Sequence, residues 1–163
     1  MIQFELIREV MIEGLSEHLG VPVIEIDGKG EVPPYPFMTY SFTDEGSIVG
    51  HMASKVVGDR IIYFGTVPLS VSFQSYALSR LESVNQANRA RDWFLTDGHW
   101  LLKDAAGVVV VEVGQTQNND LQIGDEWERR NGFEIDCRTT NIIDQELQSI
   151  DEVNLKGVDP ING

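Results

Sequence analysis

Apolar residues recur at three-to-four spacing from the start of the chain. Phe4, Ile7, Met11, Leu15 and Leu19 form one stripe, widened by Leu6 and Val10, while Glu5, Glu9, Glu13 and Glu17 lie opposite. That period predicts an amphipathic helix over 3–19. Gly20 stops it, and Pro22 forbids its continuation. Residues 21–26 are short, apolar and β-prone, and DGKG (27–30) turns the chain. The prolines of VPPYP hold the backbone extended. In FMTYSF (37–42), Met38, Tyr40 and Phe42 alternate with Thr39 and Ser41, which predicts a strand.

No period holds from 43 to 60, where three glycines fall, so this stretch reads as a mobile loop. Leu69, Val71 and Phe73 then alternate with Ser70, Ser72 and Gln74 in a half-buried strand. Residues 77–95 predict a long central helix with Leu78, Leu81, Val84, Ala87 and Phe94 on its buried face. Asp97-Gly98 breaks it. WLLKDAAG follows as a short helical turn or strand. The four valines 108–111 predict a central strand covered on both faces. Phe133, Ile135 and Cys137 alternate with Glu134, Asp136 and Arg138, giving a strand with one wet face. Val153 and Leu155 suggest a last edge strand, and 157–163 a frayed tail. The order predicts an α+β fold: a mainly antiparallel sheet packed with an N-terminal helix and a long central helix. Length and the lack of a linker or repeat make 1–163 a single domain.

Charge changes the picture more than composition does. A formal net charge of −14 argues against binding a phosphate backbone and for repulsion from nucleic acid. No apolar run reaches membrane-spanning length, and the acidic, amphipathic N-terminus lacks the form of a signal peptide. Synthesis and assembly in a cytoplasm follow as the expectation. The single Cys137 excludes an internal disulfide framework and a multi-cysteine zinc site. Its alternation with Phe133 and Ile135 points it into the core, as a small hydrophobe.

His18, His51 and His99 form no ligand pattern, and DGKGE lacks the rest of a phosphate-binding signature. The polar stretch 115–128 carries Asp120, Asp125, Glu126 and Glu128, which could serve acid/base work or a hard cation. A structural or partner-contact loop is the simpler reading in so acidic a chain. Arg129 and Arg130, with Arg89 and Arg91 on the helix, suit bidentate contacts to carboxylates across an interface. Together with Gln115, Asn118, Asn119 and Asp120 they make the candidate contact surface. Solvated charge pairs are the bland alternative.

PYPFMTYSF (34–42), SVSFQSYAL (70–78), DWF (92–94), VVVVEVGQTQNND (108–120) and WERRNGFEIDCRT (127–139) carry a resemblance. In order and spacing the chain resembles the bacteriophage neck and tail-terminator proteins from about residue 3 to 156. Residues 43–66 depart from that pattern. The resemblance implies a structural virion protein of the tail and neck. It implies a homo-oligomeric ring, commonly a hexamer, at the head-proximal end of the tail. Such a ring ends tube polymerisation and joins tail to head, with the tube protein and neck or connector proteins as partners. DNA passes through the lumen without specific binding. No cofactor, metal or catalytic residue is implied. A head-completion or connector protein of the neck is an alternative within the same particle. A small carboxylate-based hydrolase and a monomeric chaperone for a tail component are alternatives from other classes.

Overall fold

The structure, a computed structural model, describes residues 1–47 and 50–147. The expected edge strand at Val153–Leu155 and the frayed tail lie outside the described residues. Helix α1 (Phe4–Leu19) buries Ile7, Met11, Leu15 and Leu19, the stripe that the period predicts. It ends where Gly20 takes a left-handed conformation (φ 70°) and its N–H reaches the Ser16 carbonyl at 2.8 Å.

Two strands form the spine. β4 (Arg60–Ala77) and β8 (Glu126–Glu146) are antiparallel, and every residue of β4 has a partner, from Arg60 opposite Glu146 to Ala77 opposite Arg129. The pair spans roughly 60 Å at about 3.3 Å per residue. A helix of 16 residues, such as α1, is only about 24 Å long. The spine therefore runs past the layer of helices. β1 (Val23–Glu25) lies parallel to β2 (Phe37–Asp44), and β2 lies antiparallel to β4. β5 (Val109–Val113) flanks β8 on the other side, giving the order β1-β2-β4-β8-β5.

Partners in an antiparallel pair share a face. Val67, Leu69, Val71 and Phe73 therefore point the same way as Thr139, Cys137, Ile135 and Phe133, and all are buried beneath the helices. The expected alternations on both strands are borne out, including the inward Cys137. The opposite face carries Ser70, Ser72, Glu134, Asp136 and Arg138.

Helix α2 (Arg80–Leu95) has 16 residues, no more than α1, so the long central helix is not borne out. Ser79 caps it by accepting the Glu82 N–H at 3.1 Å. Its buried face is also shifted from the expected one. Leu78 and Leu81 are exposed, whereas Ser83, Gln86, Ala87, Ala90, Trp93 and Phe94 are buried. The reason is a polar network that an apolar period does not see. Ser83 joins Ser75 and Asn131 through its hydroxyl at 2.9 and 2.8 Å, and Gln86 donates to the Phe37 carbonyl at 2.8 Å. Asp97-Gly98 does end α2, but it opens a new helix, α3 (Asp97–Ala106).

Two further expectations are corrected. Residues 53–60 are not loop. β3 (Ala53–Val57) pairs with β4 across a two-residue turn, Gly58-Asp59, with Gly58 at φ 61°. The valines 108–111 do not form a central strand. Among the described residues β5 is an edge strand paired only with β8, and Val111 is 59% exposed. Only one side of the run is covered: Val108 and Val110 are buried.

Candidate functional site

The polar stretch after β5 is largely strand. β6 (Gln117–Asn118) and β7 (Leu121–Ile123) each pair with the first part of β8, and a second Gly-Asp turn, Gly124-Asp125, joins β7 to β8. Gly124 sits at φ 63°, the conformation a two-residue hairpin asks of its first turn residue.

Asp120 organises this arm. Its carboxylate accepts the Arg129 guanidinium at 2.9 Å and the Arg130 backbone N–H at 2.8 Å, and Asn118 accepts the Asp120 N–H at 3.2 Å. Burial alone would push the Asp120 carboxyl up. Hydrogen bonds from the Arg130 backbone, Arg129 and Asn118 outweigh it and hold the carboxyl below its usual value. Asn119 donates to Gln74 at 3.0 Å. Beside it, Gln115, Gln117 and Glu134 line a shallow polar pocket of about 320 Å³.

Arg130 closes a circuit of contacts. It pairs with Glu128 and lies 5.0 Å over the Tyr76 ring; Tyr76 stacks on Phe37 at 4.8 Å, Phe37 on Tyr35 at 5.6 Å, and the Tyr35 hydroxyl donates to Glu128. That hydrogen bond, helped by burial, raises the Tyr35 pKa above its ordinary value. Arg129 also lies 5.2 Å over Trp127.

The structure therefore gathers Asn118, Asn119, Asp120, Arg129 and Arg130 in one arm, with Gln115 at its base. Arg91 sits nearby and donates to the Gly114 carbonyl at 2.6 Å. Arg89 stands apart, donating to the His18 carbonyl at 2.9 Å at the end of α1. All four arginines have partners within the chain, so each contributes to its fold.

No group of three His, Cys, Asp or Glu side chains converges as a metal site among the described residues. Cys137 is 3% exposed, and burial, with Asp136 adding to it, pushes its thiol up to about 12. No described helix is long and apolar enough to cross a membrane.

Sequence reasoning missed the distribution of exposed apolar side chains. Val56, Val57, Phe64, Ile142, Ile143 and Leu147 lie at the end of the spine where Arg60 meets Glu146. Leu78, Leu121, Ile123 and Trp127 lie at the opposite end. Leu95, Trp100 and Val111 form a third group beside β5. A signal for the first was present: VV-GD-RII is two apolar runs separated by a two-residue turn.

Exposed apolar groups of this kind are a common feature of contact surfaces. The sequence model of the phage neck terminator proteins matches residues 9–161. The chain belongs to this family. A neck terminator is a structural protein of the phage tail and neck, as the resemblance implied. No curated protein matches this chain.

Proposed function

We propose that this neck terminator is a ring-forming subunit at the head-proximal end of the tail. There it ends polymerisation of the tube and joins tail to head. Its partners are copies of itself, the tube protein and other neck proteins. The observation that carries this reading is the one-sided sheet. Among the described residues helices cover one face only, while the two long strands run past them and end in exposed apolar side chains. Apolar groups on unlike surfaces of one subunit suit a head-to-tail contact, which closes into a ring when the rotation between copies closes.

The open face fits the wall of a channel. Ser70, Ser72, Glu134 and Asp136 offer hydroxyls and carboxylates, with Arg138 as the cation among them. In a chain of net charge −14, such a wall repels phosphate and lets DNA slide without sticking.

Light scattering behind size-exclusion chromatography, over a concentration series with and without purified tail tubes, tests the proposal. Negative-stain imaging of the largest species completes it. A closed ring, alone or on the tube end, is the expected result. A strict monomer that leaves tubes uncapped would overturn the reading.

A further inference from the structure

We propose that β3 of one copy adds to the open edge of β5 in the next, so that Lys55 meets Glu112 and one sheet continues from subunit to subunit. This rests on the ring-forming reading above and names the contact that closes the ring. β3 flanks β4 and β5 flanks β8, and β4 and β8 are neighbours, so the two strands lie at opposite edges of the same sheet. Among the described residues each has a strand partner on one side only. An unpaired edge presents a row of N–H and C=O groups ready to accept another strand. Natural edges are blunted by charge, proline or cover. β5 carries one charge and no proline, and Val111 is 59% exposed on it.

The two edges match in four ways. Each strand has five residues. Each carries a single charged residue, and the charges are opposite: Lys55 in β3 and Glu112 in β5. The faces agree. Lys55 pairs with Ile62 on the face of Ser70 and Ser72, and Glu112 pairs with Asp136 on that same open face. Val56 pairs with Ile61 on the helix-side face and is 60% exposed. On that side of β5, a groove of about 360 Å³ lined by Leu95, Trp100 and Val110 stands open to receive it.

Because the joined edges are unlike, the contact is heterologous and propagates around a ring.

Charge reversal tests the pairing. Lys55→Glu, Glu112→Lys and the double variant are compared with the native chain by light-scattering mass and sedimentation velocity, and by imaging of capped tail tubes. Both side chains are exposed, so native circular dichroism is expected throughout. Each single reversal should weaken self-association about tenfold or more, since like charges then face each other. The double variant restores the opposite pair and should recover most of the loss. Single variants that assemble like the native chain, or a double variant no better than either single, would overturn the proposal and leave the ring reading standing. Rings that form normally but no longer cap tubes would assign these edges to the tube protein and also overturn it. A native chain that never assembles, with or without tubes, would overturn both.

Discussion

Gly98→Ala probes how α3 is locked onto the rest of the helical layer. A Cβ at Gly98 would stand 2.5 Å from two carbons of the Trp93 ring and 2.8 Å from a third. Ordinary carbon contacts are about 3.5–4.0 Å, so the ring would have to retreat by about 1 Å. It has little room to do so. Trp93 is 4% exposed, Phe94 packs edge-on at 5.0 Å, and a Cβ at Gly14 on α1 would lie 2.9 Å from the other side of the ring. Overpacking of this kind costs about 1–3 kcal/mol. Alanine returns at most about 1 kcal/mol over glycine in a helix interior, and less in a first turn, where Gly98 sits. The expected net loss is about 1–2 kcal/mol, a fall in Tm of about 2–8 °C for a domain of this size. Thermal and urea denaturation followed by circular dichroism would read it. Two companions sharpen the test. Gly14→Ala lies mid-helix, gains the full helix preference, and meets the movable tip of Leu101 and the Trp93 ring at 2.9 Å rather than 2.5 Å, so it should cost less. Trp93→Phe removes Cε3 and Cζ3, two of the three ring carbons that clash, so Gly98→Ala in that background should lose part of its penalty. A Gly98→Ala chain as stable as the native one, or one whose penalty is the same with Phe at 93, would refute the interlock.

Three further outcomes are expected. Cys137, buried and with its thiol pushed up to about 12, should resist thiol reagents at neutral pH until the chain unfolds; rapid labelling of the native protein would contradict its place in the core. Asp120→Asn should destabilise the chain at neutral pH. Because the folded carboxyl is held below its ordinary value of 3.8, its contribution is complete above that value and lost as pH falls through the lowered one. The stability gap between native and variant should therefore close toward acid, and a gap that stays constant or widens in denaturation at a series of pH values would sink the assignment. Ser83→Ala strips the Asn131 amide and the Ser75 hydroxyl of a buried partner, at a cost of about 1–3 kcal/mol with an unchanged urea slope. A neutral result would mean that the network does not hold α2 to the sheet.

The arm at 115–130 shows where sequence reasoning reaches and where it ends. Its polar residues and paired arginines stood out, and the structure does bring Asn118, Asn119, Asp120, Arg129 and Arg130 together. Their partners lie within the chain, and no one-dimensional pattern contains that. Arg130 reaches Glu128 two residues away, but it also covers Tyr76, far off in sequence and next to it only because β4 and β8 pair in register.

Where an element turns an apolar side to the core and a polar side to water, the period of apolar residues determined it from the sequence alone. That holds for α1, for Leu69 to Phe73 and for Phe133 to Cys137, because local geometry turns a one-sided environment into a period of 3.6 or two. Tertiary structure decided everything that lacks such a side. β3 puts Val56 and Val57 on opposite faces, so it shows no alternation and residues 53–57 read as loop. The valines of β5 look central, yet among the described residues they lie at an edge, since a run of valines does not say how many strands will flank it. α2 is turned by Ser83 and Gln86, whose burial depends on hydrogen-bond partners that only the folded sheet provides.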